Sequence, residues 1–330
     1  MAVATLKWIF RLLTILTISH GVCVIFQGNV MLSGIDIKKI TEELKELMDC
    51  PVKSNITQRE LNRVRLHFSC NASGTLILTK QNTALNQTIQ YETNTKVKHK
   101  VNPELYDMLP QDFPWNSKYL GQCAVVGSGG ILKNSSCGAQ IDSADFVIRF
   151  NMAPINDSDV GLKSDLVTVN PSQIRVGYKD LDKNPGPLVE RVSVYGNASL
   201  ILPAFAYTFN TQLSFSTLKA LRSVNAPQKV VFFSPSYLKM LDRFWKARGL
   251  KEIRLSTGFM LINVALELCE HVHIYGFWPF DVNLDQQAIS HHYYDDKGPS
   301  RRMHSMPQEF LRLLQLHSQG ALTMHLQPCA

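Results

Sequence analysis

Four short stretches in the second half of the chain carry residue types and spacings suited to chemistry. His304 opens HSMPQE, with Glu309 five positions on. A histidine titrates near neutrality and is the usual group to take a proton from a hydroxyl, although a lone histidine is more often structural. SHHYYDD at 290–296 crowds His291, His292, two tyrosines and two aspartates together. Metal binding is one reading, but adjacent histidines lack the i, i+4 spacing of a helical zinc site. In RLSTGFM, at 254–260, Ser256, Thr257 and Gly258 put hydroxyls and free N–H groups at a helix start. Such a start is either an anion site or an ordinary N-cap. In VVGSGG, at 125–130, Gly127 and Ser128 follow an apolar run. Glycines there admit a ligand to the backbone or make a tight turn, and the third glycine is displaced from the dinucleotide pattern G-x-G-x-x-G. Asp157 and Asp159 form a D-x-D pair. Carboxylates in a polar loop are usually just solvated, and that is the simpler reading here.

These groups need a scaffold, and the sequence implies one. His304 lies just before PQEFLRLLQLHSQG, where Pro307 suits a first helical turn and a glycine ends the apolar periodicity. Ser305 and Gln308 are spaced as a capping box. CAVVGSGGIL, ADFVIRFN, SDLVTVNPS, ASLILPAF, QKVVFFSPSYL and HVHIYGF read as strands, with STGFMLINVALELCE a capped helix before the last of them. Strands separated by helices imply an α/β fold, with a mostly parallel sheet flanked by helices.

The chain of 330 residues is 45% hydrophobic, enough for one large core, and its net charge of +7 favours anionic partners. No Lys/Arg run is interleaved with aromatics, which argues against nucleic acid. Residues 1–7 read as a cytosolic tail and 8–28 as a signal anchor. Lys7 and Arg11 sit toward the cytosolic side, and no small-residue cleavage site is evident. Residues 29–104 then read as a luminal stem and 105–330 as the main folded domain. Within the stem, Ile37, Ile40, Leu44 and Leu47 have helical spacing, and polar residues 71–100 read as a linker with little core of its own. Six of the seven cysteines lie outside the apolar segment, so several disulfide pairings are open. Six sequons begin at Asn55, Asn71, Asn86, Asn134, Asn156 and Asn197, in keeping with the secretory pathway.

Taken together and in order, these segments resemble the animal sialyltransferases (glycosyltransferase family 29), in particular the alpha-2,8-sialyltransferase branch that adds one or few residues. CAVVGSGGILKNSSCGAQIDSADFVIRFNMAPINDSDVGLKSDLVTVNPS resembles the large motif, and RLSTGFMLINVALELCEHVHIYGFWPF the small motif. HHYYD resembles the third motif, and HSMPQE has the H-x-x-x-x-E of the very small one. The resemblance implies a variant GT-A, Rossmann-like fold, CMP-sialic acid as donor, and no metal or other cofactor. It also implies a Golgi type II membrane enzyme with sialylated glycoprotein or glycolipid acceptors, and leaves a homodimer open. By the same resemblance, Gly127, Ser128, Asn151 and Asn170, Pro171, Ser172 line the nucleotide site. Ser256, Thr257 and Gly258 bind near the donor carboxylate and phosphate, while Phe277 and Trp278 flank the cytidine. His304 is the general base, His292 contacts the departing phosphate, and Glu309 supports the His304 segment. The implied disulfides are Cys123–Cys269 and Cys137–Cys329, with Cys50 and Cys70 left over. Two positions depart from the family pattern: Ser128 stands where an asparagine is usual, and Phe150 where a cysteine is usual. Ser128 is the one feature favouring an alternative, a luminal sialoglycan-binding protein on the same fold that turns over weakly or not at all.

Overall fold

The structure is a computed structural model that describes residues 15–18, 21–24, 37–49, 53–115, 120–178, 180–296 and 306–329. Its centre is a seven-stranded sheet: β1 (Gln122–Val126), β2 (Phe146–Arg149), β3 (Leu166–Thr168), β4 (Ser199–Leu202), β5 (Val230–Phe232), β6 (His271–Tyr275) and β7 (Thr323–His325). The spatial order is β7-β6-β1-β2-β3-β4-β5, and every pairing is parallel. All residues of β2, β3 and β4 are buried, as expected for parallel strands covered on both faces. The strand order reverses between β1 and β6, and in open α/β sheets ligands settle outside the carboxyl ends of the strands at such a point.

Alternation along the strands sorts the core. Cys123 and Val125 of β1 join one cluster, whereas Ala124 and Val126 join another on the opposite face. The first face is covered by α1 (Ile37–Asp49), α2 (Ile56–Ser69), α4 (Pro235–Lys246), α5 (Thr257–Leu268) and α6 (Met306–Ser318). Against the far side of β3 and β4 lies α3 (Asn210–Ser223), through Phe215, Leu218 and Leu221. Every residue of α5 from Phe259 to Leu268 is buried. An apolar helix without a polar face can only sit inside the molecule.

The helix expected from the spacing of Ile37, Ile40, Leu44 and Leu47 forms, whereas one polar stretch departs from its composition. Leu44 and Leu47 of α1 are buried in the main core, so this helix packs on the domain. Residues 71–100, polar overall, nonetheless bury Leu76, Ile77, Leu78, Ile89 and Tyr91. The Leu78 N–H donates to the Phe232 carbonyl at 3.0 Å, and Thr88–Gln90 pairs antiparallel with Lys98–Lys100. The apolar run Leu76–Leu78 is short and the rest of the stretch is mostly polar, which is why composition alone reads it as a linker. The strand β7, Thr323–His325, also went unread. Within 8–28, Ile15–Ile18 pairs antiparallel with Gly21–Val24. Among the described residues no helix is long and apolar enough to cross a membrane.

Disulfides join Cys123 to Cys269 and Cys137 to Cys329. The first ties β1 to the residue that ends α5 before β6; the second ties the loop after β1 to the chain's end. Cys70 is a buried free thiol, pushed up to about 12 by burial and the nearby Glu267 carboxylate. Cys50 lies outside the described residues. Asn55, Asn86, Asn134 and Asn197 are exposed, whereas Asn71 and Asn156 are half-buried and accept hydrogen bonds from neighbouring backbone N–H groups. The first disulfide closes a loop of 146 residues. Replacing both Cys123 and Cys269 by Ala is therefore expected to cost about 2–5 kcal/mol of stability. Urea unfolding under non-reducing conditions measures it, and a midpoint equal to wild type would contradict the assignment.

Candidate active site

The turn after β1 is built for contact with the protein's own backbone. The N–H groups of Gly127 and Gly129 donate to the carbonyls of Tyr275 and Gly276 at 2.8 and 2.9 Å, and that of Gly130 donates to His291 at 3.1 Å. A Cβ at Gly129 would stand 2.5 Å from the Gly276 oxygen, and one at Gly130 would stand 1.9 Å from the Ser290 oxygen. No side chain fits at such distances, so these glycines serve close approach of the β6 turn and the SHHYYDD segment. Ser128 is half-buried, and its carbonyl accepts from the Tyr293 N–H at 3.1 Å.

His292 is thereby placed beside the turn, bridged to Gly129. Its Nδ1 lies 3.1 Å from the Asp295 carboxylate, and its ring stacks on Tyr294 with centroids 5.0 Å apart. A histidine held this way at Nδ1 has a fixed ring orientation and leaves Nε2 for another partner. His291 packs edgewise on His292, and burial pushes its pKa down. The Tyr293 hydroxyl donates to the Pro154 carbonyl, tying this segment to the loop that follows β2.

Asn151 and Met152, immediately after β2, both have positive φ, at 56° and 52°. Two successive left-handed non-glycine residues are strained and need support. Asn151 donates its N–H to Thr168 Oγ1 at 2.9 Å, and its side-chain oxygen accepts from the Asn170 N–H at 3.3 Å. Arg191 donates to the Met152 carbonyl, and the Tyr195 hydroxyl donates to that of Ala153 at 2.7 Å. Pro171 is buried at the first turn of the helix Pro171–Gly177, whereas Ser172 is exposed. Asn151 and Asn170 thus stand side by side at the carboxyl ends of β2 and β3. Arg191 and Tyr195 are contributors that no local sequence signal marked, whereas Tyr293 belongs to the SHHYYDD segment.

The start of α5 already holds an anion, and that anion belongs to the protein. Glu309, 4% exposed on α6, accepts from the Ser256 N–H at 2.7 Å and from the Ser256 hydroxyl. The same hydroxyl accepts from the Phe259 N–H at 3.0 Å, which makes Ser256 the N-cap. Ser256, expected to contact the donor, is thus committed to Glu309, because the positive end of a helix attracts whichever carboxylate is placed there. Burial outweighs those hydrogen bonds and raises Glu309 to about 7. Glu309 thereby supports the start of α5, while the His304 segment it was expected to support lies outside the described residues.

Phe277 is half-buried, and its ring lies so close to Gly258 that a Cβ there would meet it at 2.7 Å. Phe150 packs edge-to-face on Phe277 with centroids 6.0 Å apart, linking the residue before Asn151 to the start of α5. The usual cysteine at position 150 has been replaced by a ring with a packing role. Trp278, expected at the cytidine, instead points inward. It is 5% exposed, donates its indole N–H to the Val282 carbonyl at 2.7 Å and packs against Phe310. A small pocket between α5 and α6 is lined by Ser256, Phe277, Trp278, Glu309, Phe310 and Leu313, among others. His304 lies outside the described residues.

Asp159 of the D-x-D pair accepts from the Asn134 and Ser136 N–H groups at 3.0 and 3.2 Å, a loop-holding role. Among the described residues no group of three or more His, Cys, Asp or Glu side chains is arranged to hold a metal.

A family model for glycosyltransferase family 29 (sialyltransferase) matches residues 77–321. Human alpha-2,8-sialyltransferase 8E is 41% identical over 303 residues, spanning 91% of this chain and 81% of its own. Mouse alpha-2,8-sialyltransferase 8F is 40% identical, over 87% of this chain and 73% of its own. Bovine alpha-N-acetylneuraminide alpha-2,8-sialyltransferase is 42% identical, over 84% and 78%. With motifs, sheet and family match coinciding over the same residues, the chain belongs to glycosyltransferase family 29, the sialyltransferases.

Proposed function

We propose that the protein transfers sialic acid from CMP-sialic acid to the 8-hydroxyl of a terminal sialic acid, inverting the anomeric carbon. The observation that carries this reading is a convergence at the carboxyl edge of the sheet. There Asn151 and Asn170, the start of α5 with Phe277 against it, and His292 meet around the point where strand order reverses.

The roles follow from chemistry. With Ser256 held by Glu309, the N–H groups of Thr257 and Gly258 remain at the positive end of α5 for the donor carboxylate or phosphate. Phe277 offers a ring face to the cytidine, and Asn151 with Asn170 offers amides to the nucleotide. His304 takes the proton from the acceptor hydroxyl as its oxygen bonds to the anomeric carbon. The bond from that carbon to the phosphate oxygen breaks, and the electron pair leaves on CMP. His292, whose Nδ1–H is held by Asp295, donates as the imidazolium from Nε2 to that phosphate as the phosphate's charge grows. The transition state has oxocarbenium character, as at other glycosyl centres. Glu309 is a positioning residue. No metal takes part in this scheme. The acceptor is a sialylated O-glycan on a glycoprotein, with a ganglioside as the alternative, and the enzyme works in the Golgi lumen behind a single type II anchor.

The test is transfer of labelled sialic acid from CMP-sialic acid, with EDTA present, to a sialylated O-glycoprotein, a ganglioside and an asialo control. Transfer restricted to sialylated acceptors is expected. His304→Ala should lower kcat about 10²–10⁴-fold, the usual worth of a general base, while CMP affinity holds. Loss of CMP affinity instead would assign His304 to donor binding. No transfer by a folded protein that still binds CMP would favour the alternative of a non-catalytic sialoglycan-binding protein.

Glu309 adds a pH signature. Its folded value of about 7 lies above the ordinary 4.5, so the folded state holds more protons than the unfolded between them. Stability is therefore greatest at the acid end of that window and falls as pH rises through it. Glu309→Gln should flatten this decline in a series of thermal melts. Equal slopes in the two proteins would mean that another group titrates.

A further inference from the structure

The helix α2 is held to the domain along one side. Arg59 Nη1 donates to the Glu270 carbonyl at 2.7 Å, Arg63 Nη2 donates to that of Cys269 at 2.5 Å, and Leu66 is buried. The helix start is capped by the Asn55 side chain, which accepts from the Gln58 N–H at 3.1 Å. At 100° per residue the opposite side carries Thr57, Leu61, Val64 and Phe68. All four are exposed, Leu61 at 37%, Val64 at 47% and Phe68 at 85%. A helix that only covered a core would carry polar residues on this side. The spacing of four, three and four residues is instead that of a coiled-coil seam, with Leu61 and Phe68 at a, and Thr57 and Val64 at d. The sequon residue Asn55 lies off this seam.

The flanking charges say what fits against it. In the same register Glu60 stands at g and Arg65 at e, five residues apart. Those positions meet across a parallel two-stranded seam, g of one helix against e of the other. Both side chains are exposed. Arg65 has no carboxylate within 4.0 Å among the described residues, and burial and Arg65 together push the pKa of Arg248 down. Glu60 is paired with Arg63 through Oε1 alone. A two-fold axis along the seam brings each Glu60 to the partner's Arg65, giving two ion pairs that flank the apolar stripe. An antiparallel pairing would set each of these residues beside its own copy, like charge against like charge. Two heptads are too few for free helices to pair, but α2 is already folded against the domain and has no helix-forming entropy left to lose.

We propose that the exposed face of α2 is a parallel, two-fold interface with a second copy of this chain, seamed by Leu61, Val64 and Phe68 and flanked by Glu60 and Arg65. Both helices then run in the same direction, as two copies anchored in one bilayer by their N-terminal segments require. Confinement to one membrane raises the effective concentration, so a short seam suffices. That last fit draws on the anchor proposed above, whereas the seam itself depends neither on the anchor nor on the transfer reading.

The experiment places the full chain in phosphatidylcholine vesicles with one added cysteine. This is Val64→Cys or, as a control on the same helix, Ile56→Cys, which is 66% exposed but off the seam. Mild oxidation is followed by peptide mapping, which separates new links from those of the native cysteines. A link joining two copies at position 64 is expected, and none at position 56. Separately, sedimentation equilibrium in detergent measures self-association of wild type, Leu61→Glu with Val64→Glu, Glu60→Arg, Arg65→Glu, and the double reversal Glu60→Arg with Arg65→Glu. The apolar variant and each single reversal should weaken the dimer about tenfold or more, since each sets like charges together across the axis. The double reversal should return to within about threefold of wild type, and CMP affinity should stay within about twofold throughout, showing that the fold is intact. A monomeric wild type, the result if a bilayer surface or a different protein covers this face, overturns the proposal. So do equal linking at positions 56 and 64, single reversals without effect, and a double reversal that fails to recover.

Discussion

The backbone contact between the turns after β1 and β6 decides where this molecule can hold a ligand. Gly127 and Gly129 lie against Gly276, and Gly130 lies against Ser290, at separations that leave no room for a Cβ. Three stretches remote in sequence therefore move as one body: the first turn, the second turn and the segment bearing His291 and His292. The crevice that a doubly wound sheet opens where its strand order reverses is here partly filled by the protein's own main chain.

At that start two demands compete for one helix terminus. The positive end of α5 attracts negative charge, and the fold supplies a buried carboxylate, Glu309, from α6. Burial opposes ionisation strongly enough to bring the group near neutrality. The arrangement locks α6 to α5 through Ser256. The next two N–H groups of α5 are left to face outward.

Support for the site comes from side chains with no chemistry of their own. Phe150 braces Phe277, Arg191 and Tyr195 hold the carbonyls after Asn151, and Tyr293 links the histidine segment to the same loop. Each acts across a long sequence separation, and Arg191 and Tyr195 lay outside every segment that local reading singled out. The left-handed pair Asn151–Met152 persists because its surroundings over-determine it.

The sequence by itself determined the class of the molecule. Apolar runs between helical patterns specified six of the seven strands of a parallel sheet, Ser256 before an apolar run marked the start of α5, and the four ordered motifs named the family. These features are local, written in periodicity, capping and fixed spacing. Tertiary structure alone decided which groups face a ligand. Trp278 turned inward because its indole N–H found the Val282 carbonyl, and Ser256 was taken by a carboxylate more than fifty residues away. The polar stretch 71–100 joined the core through a few spaced apolar residues, since burial depends on what packs over a residue and not on its neighbours in sequence. Side-chain direction and partner choice are set by contacts between distant segments, and no local pattern encodes them.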